Sequence, residues 1–211
     1  MTGHRTRIKI CGIREPAMAL HAANAGADAI GLVFHRPSPR YVEAAQAAAI
    51  ANALPPYVMA VGLFVNLTES GVRAILREVP LQLLQFQGDE EPAFCEAFGV
   101  PYVRAVRMEE GTDLLEYASR FARARALLLD AHVPGLAGGT GRSFDWKAIP
   151  RGLPMPIILS GGLTIENVGP AVREVQPWAV DVSSGVEAER GVKDPRRIDE
   201  FIRSVRREDA G

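Results

Sequence analysis

Thiols are scarce: Cys11 and Cys95 are the only two cysteines in 211 residues. Two cysteines make no disulfide framework, and neither sits at a metal-ligand spacing, so a reducing cytoplasm fits best. Histidine is sparse too, with four in the chain, and His4 and His21 have no acidic or histidine neighbour at ligand spacing, so no metal is expected. An excess of charge of one sign is also missing. The formal net charge is −1, which argues against a dominant basic nucleic-acid surface. The arginines at 196, 197, 203, 206 and 207 are interrupted by Asp199, Glu200 and Glu208. They read as a solvated helix face running into a frayed tail over 206–211. No apolar run approaches the ~18 residues of a membrane helix, and MTGHRTR has no apolar segment behind it, so neither a membrane span nor a signal peptide is expected. These absences point to a soluble, cytoplasmic protein that acts on something small.

What the chain does have is alternation. Short apolar runs at 7–12, 29–34, 58–65, 81–86, 102–107, 126–130, 156–160 and 179–183 read as eight strands. Helical segments fall between most of them, at 17–25, 43–53, 68–78, 90–98, 112–123 and 165–174, with a last one at 194–206. Gly26 is placed to cap the first, Thr68 to open the third, and Thr164 to open the sixth. Apolar strands alternating with amphipathic helices imply a parallel sheet with helical crossovers. Eight units fill residues 1–211 with no linker, so the expected fold is one α/β domain, a single (β/α)8 TIM barrel. An open doubly wound sheet is the runner-up, but CGIREP after the first strand does not match the G-x-G-x-x-G expected there.

Three turns stand out. Gly138-Gly139, Gly161-Gly162 and Ser184-Gly185 each follow a strand, and they begin 23 residues apart. In a barrel they fall after strands six, seven and eight on the C-terminal face, where such folds frequently bind phosphate. Glycine lets backbone N–H groups approach an anion without a Cβ in the way, and Thr140 and Ser184 add hydroxyl donors.

Strand parity sorts the polar groups. Ile8 and Ile10 share a face with the helices, which turns Lys9 and Cys11 inward. Val180 and Val182 do the same in strand eight, turning Asp181 and Ser183 inward. Strands one and eight are neighbours in a closed barrel, so Lys9 and Asp181 can pair. Asp130 ends strand six across the mouth from Cys11. A carboxyl with a raised pKa and a thiol with a lowered one would form an acid–base couple. Arg40, in the loop after strand two, is a candidate carboxylate clamp. Cys95 reads as packing only.

Taken together, KICGI (9–13), SPR (38–40), GLFVN (62–66), LLLDA (127–131), GGTGRSFDW (138–146), SGGL (160–163) and DVSSGVE (181–187) resemble the phosphoribosylanthranilate isomerase family of tryptophan biosynthesis, in order and over nearly the whole chain. The resemblance implies a cofactor-free Amadori rearrangement of N-(5-phosphoribosyl)anthranilate to 1-(2-carboxyphenylamino)-1-deoxyribulose 5-phosphate. It makes Asp130 the general acid, Cys11 the general base, and Arg40 the clamp on the anthranilate carboxylate. Lys9, Gln85, Gln87 and Asp181 become substrate-binding positions, and Gly138, Gly139, Thr140, Gly161, Gly162, Ser184 and Gly185 the phosphate cradle. A monomer is the expectation, with a homodimer as the alternative. One departure is visible: the family usually reads Q-L-H-G after strand four, whereas this chain has Gln85-Phe86-Gln87-Gly88. Glutamine hydrogen-bonds but does not titrate near neutrality, so Gln87 is expected to orient rather than to transfer protons. Competing readings are a ProFAR-isomerase-like activity, for which an aspartate is expected in place of Cys11, and a phosphometabolite-binding barrel without catalysis.

Overall fold

Alternating strands and helices close on themselves. The computed structural model describes residues 5–130, 146, 149–150 and 152–210. Its strands are β1 (Arg7–Cys11), β2 (Ala29–Val33), β3 (Met59–Phe64), β4 (Leu83–Phe86), β5 (Tyr102–Arg107), β6 (Leu127–Asp130), β7 (Ile157–Ser160) and β8 (Ala179–Val182). They form a closed barrel in sequence order, and every neighbouring pair is parallel, including β1 with β8. The barrel reading is therefore right and the open sheet is excluded.

The helices are α1 (Pro16–Ala25), α2 (Ala44–Ala53), α3 (Glu69–Glu78), α4 (Pro92–Glu96), α5 (Leu114–Arg120), α6 (Val168–Val175) and α7 (Pro195–Asp209). Gly26 caps α1, and the Thr68 hydroxyl accepts from Gly71 N at the start of α3, as their positions foretold. A two-stranded antiparallel hairpin, β9 (Glu187–Glu189) with β10 (Val192–Lys193), lies between β8 and α7. Nothing in the hydrophobic pattern foreshadowed it.

Parity holds where it was read. Ile8, Ile10, Val180 and Val182 are buried in one cluster with Ala19 and Ala22 of α1 and Ile198, Phe201, Ile202 and Val205 of α7. Each such aliphatic side chain contributes about 1.5–3 kcal/mol when fully removed from water. Inside the barrel, Val103, Ala105, Leu128, Ile158 and Ala179 form a separate apolar layer. Polar groups take over toward the C-terminal ends of the strands.

Several element ends differ from expectation, and at four of them a side chain claims the backbone. α4 is shorter than 90–98, since Glu90 is buried in an ion pair with Arg104 instead of starting a helix. α5 begins at Leu114, where the Asp113 carboxylate accepts from Leu115 N and Glu116 N. α6 begins at Val168, three residues late. Asn167 Oδ1 accepts from Thr164 N at 2.8 Å and its Nδ2 donates to Gly162 O at 2.9 Å, which folds 162–167 as a turn. Thr164 is therefore not the cap. Finally, the tail expected to fray from 206 is helical through Asp209. Arg206 donates to Thr6 O at 2.8 Å and Gly26 O at 3.0 Å, so it leaves the solvated arginine face and ties α7 to the start of β1.

Candidate active site

β1 delivers two inward side chains to the mouth. Lys9 Nζ lies 2.8 Å from Asp181 Oδ2, and the two residues are register partners across the β1–β8 seam. Both are buried, so each charge is tolerated because the other is there. Burial works to lower the Lys9 pKa, but Asp181 and Cys11 outweigh it and the ammonium is held above its ordinary range.

Cys11, the last residue of β1, is 5% exposed. Gly31 of β2 makes room for it, since a Cβ there would come within 2.7 Å of the sulfur. The sequence reading asks for a lowered thiol pKa. The site instead pushes Cys11 up, chiefly by burial and secondarily by Asp181, while Lys9 and Lys193 pull it back.

β4 and β6 supply the facing wall. Gln85 is buried, and its Nε2 donates to Gln87 Oε1 at 3.1 Å. Gln87 Nε2 in turn donates to Asp130 Oδ2 at 2.8 Å. The loop carrying Gln87 is fixed from behind. Arg104 Nη1 contacts Glu90 at 3.0 Å and Arg104 Nη2 donates to Gly88 O at 2.6 Å, while Glu90 accepts from Gly88 N and Asn66 N. The amide at 87 is thus a built part of the mouth, aimed at the acid.

Arg40 is where the chain differs most from a free clamp. Its Nε and Nη2 grip Glu187 at 2.6 and 2.8 Å. Its stem lies against Gly12, whose φ is +81° and where a Cβ would meet Arg40 Cδ at 2.6 Å. Glycine is required there on both counts. Glu187 also accepts from Lys193 Nζ at 2.8 Å and from Gly191 N at 3.1 Å. Burial alone would raise the Glu187 carboxyl, but Arg40 and Lys193 hold it at about 2. Lys193 is pushed below its usual value by burial, against the pull of Glu187. Its Nζ also reaches Ser183 O at 2.9 Å and Ser183 Oγ at 3.2 Å, and Ser183 Oγ donates to Cys11 O at 3.1 Å.

Sequence reasoning quoted Glu187 within a motif but gave it no role, and it missed Lys193 entirely. The available signal was a basic residue beside an apolar one in a short segment, GVKD, that showed no periodicity.

Two of the three glycine turns are described, and they meet. Gly161 and Gly162 have positive φ. A Cβ on Gly185 would fall 2.0 Å from Leu163 O, so the turns after β7 and β8 approach as closely as glycine allows. Gly162, Thr164, Ser184, Gly185 and Arg197 line a cavity of about 450 Å³, with Glu166 and Glu200 also on its wall. Gly138, Gly139 and Thr140 lie outside the described residues. A larger cavity, about 1300 Å³, sits at the opposite end of the barrel beside Pro156, Pro177 and Trp178, away from Cys11 and Asp130.

The chain as a whole matches a known group of proteins. Residues 8–204 fit the family model described as N-(5'-phosphoribosyl)anthranilate (PRA) isomerase. The N-(5'-phosphoribosyl)anthranilate isomerase of Azotobacter vinelandii is 58% identical over 200 residues, covering 95% of this chain and 97% of that one. The crystal structure of phosphoribosyl anthranilate isomerase from Thermotoga maritima superposes with a TM-score of 0.85 at 38% identity, covering 95% and 98% of the two chains. A crystal structure of phosphoribosyl anthranilate isomerase in complex with reduced 1-(o-carboxyphenylamino)-1-deoxyribulose 5-phosphate gives 0.81 at 36% identity, covering 95% and 98% of the two chains. The chain belongs to the N-(5'-phosphoribosyl)anthranilate isomerase family.

Proposed function

We propose that this barrel converts N-(5-phosphoribosyl)anthranilate to 1-(2-carboxyphenylamino)-1-deoxyribulose 5-phosphate, with Asp130 and Cys11 as its acid and base. Asp130 gives a proton to the furanose ring oxygen as the C1′–O bond breaks, and the anthranilate nitrogen supplies the electron pair that forms the Schiff base. The Cys11 thiolate then takes the C2′ proton, giving an enolamine that tautomerises to the ketone. The observation that carries this reading is the placement of Cys11 and Asp130 at the ends of β1 and β6 in one mouth, beside the turns at 161–162 and 184–185.

Gln87 fits an orienting role. An amide N–H donates to Oδ2 whether Asp130 is ionised or protonated, so it anchors that oxygen and assigns the mobile proton to Oδ1. The phosphate is the remote handle whose binding energy positions the reacting carbon. The thiol at position 11 favours the anthranilate substrate over a ProFAR-type one. The protein acts as a soluble cytoplasmic monomer in this reading, and no helix among the described residues is long and apolar enough to cross a membrane.

The test follows loss of the substrate's anthranilate fluorescence with purified protein. Wild type should turn over, and Asp130→Asn and Cys11→Ser should each be slower by roughly 10²–10⁴-fold, the usual range for removing a general acid or base. Turnover near wild type in either variant would remove that residue from its role. No turnover in the wild type would leave the non-catalytic phosphometabolite-binding barrel as the better reading.

A further inference from the structure

Arg40, Glu187 and Lys193 make an unbalanced cluster. Two full positive charges converge on one carboxylate, which accepts from Arg40 Nε and Nη2, from Lys193 Nζ and from Gly191 N. The side chains of Lys193 and Glu187 are 2% and 4% exposed. A second pair close by, Lys9 with Asp181, is balanced. Among the described residues, the charged groups around Cys11 are therefore Lys9 from its own strand, Asp181 from β8, Arg40 from the loop after β2, Glu187 from β9 and Lys193 from β10. Among these, one positive charge is unmatched. Burying an unmatched cation is costly unless an anion is to meet it.

Two anions belong on this wall in the proposed reaction: the thiolate form of Cys11, and the substrate carboxylate that Arg40 is assigned to hold. We infer that Lys193 is a positioning residue that shares Glu187 with Arg40, leaving the Cys11 side of the mouth with one surplus positive charge that favours both anions. It does this without touching substrate. Its ammonium holds Glu187 and, through Ser183 Oγ, the backbone carbonyl of Cys11. Were Lys193 neutral, Glu187 would cancel Arg40 outright, and the wall would face a thiolate and a carboxylate with no net charge to receive them. This inference rests on the assigned roles of Arg40 and Cys11, and its direction agrees with the downward pull of Lys193 on the buried thiol.

The experiment reads the charge on Cys11 directly, as the pH dependence of its alkylation by iodoacetamide, with the modified site identified by mass spectrometry. The pH profile of turnover is recorded alongside it. Lys193→Met should move the Cys11 alkylation midpoint up by about one pH unit, making alkylation about tenfold slower on its rising limb. It should also raise KM for the carboxylated substrate. Glu187→Gln should move the midpoint down, because it increases the surplus. The double variant Glu187→Gln with Lys193→Met restores a surplus of one, and its midpoint should return toward wild type.

A purely structural lysine predicts the opposite for the double variant, which would then be at least as impaired as Lys193→Met. An unmoved midpoint in Lys193→Met, or no return in the double variant, overturns the inference. If Lys193→Met fails to fold, the downward shift in Glu187→Gln decides alone. Alkylation reports the thiol whether or not the chain turns over, so a failure of this inference is distinguishable from a failure of the proposed activity.

Discussion

The wall built by β1, β8 and the β9–β10 hairpin is made of ions, whereas the wall built by β4 and β6 reaches its acid through amides. On the first, Lys9–Asp181 and Arg40–Glu187–Lys193 surround a thiol whose pKa burial raises and Lys9 and Lys193 pull part of the way back. On the second, Gln85 and Gln87 pass a hydrogen bond to Asp130, and the ion pair of that wall, Arg104–Glu90, stands behind the loop. The difference follows the chemistry. Under the proposed mechanism, a base that must ionise in a dry place is helped by cations close to it. Under the same mechanism, the two residues with opposite proton duties share one mouth, Cys11 beside ion pairs and Asp130 in contact with an amide.

Breaking the support of the amide wall should have the largest effect. Arg104→Met leaves Glu90 buried without its cation and frees Gly88 O, and removal of one partner from such a pair typically costs about 3–5 kcal/mol. The midpoint of urea unfolding should fall accordingly. A change under about 1 kcal/mol would mean that water or relaxation replaces the arginine.

Removing the amide itself should be milder. Gln87→Leu should lower kcat by about tenfold with KM nearly unchanged, one hydrogen bond to a charged group being worth about 1.5–3 kcal/mol at most. A rise in KM with kcat intact would move Gln87 from orienting the acid to binding substrate.

The ionic wall offers the smallest effect, and it depends on pH. Glu187 titrates at about 2 in the folded chain, below its unfolded value, so its contribution is full above the ordinary carboxylate range and is lost as pH falls toward 2. Thermal unfolding should therefore show an acid-side loss between about pH 4.5 and 2 that is shallower in Glu187→Gln. An identical acid slope in both proteins would remove Glu187 as a source of the loss.

The barrel and the Lys9–Asp181 pair were legible because strand periodicity states which side chains turn inward, and β1 meets β8 only if the ring closes. Cys11 was legible for the same reason, and Asp130 because it is the carboxylate that ends an apolar strand. Arg40 was visible as a candidate, but its partner was not. Glu187 and Lys193 sit in a hairpin whose two strands hold three and two residues, too short for any period to register. The late start of α6 was hidden because Thr164 is a good cap by composition, and only the bonds of Asn167 show that the backbone is already committed. The raised thiol pKa is a matter of burial in three dimensions, which no spacing records.

The hold of α7 on β1 has a consequence in time. Thr6 N donates to Asp209 Oδ1 at 3.0 Å, a contact between residues 203 apart in the chain, and Thr6 O is gripped by Arg206. The first strand thus gets a fastening from a helix that follows all seven other barrel strands in the chain. The earlier strands can line up side by side as a curved sheet, but the ring has no such clasp until α7 is in place. Closing so long a loop is the step that entropy opposes most. Cys11 and Asp181 belong to the two strands joined at that seam, so half of the candidate mouth comes into register only when β1 and β8 meet.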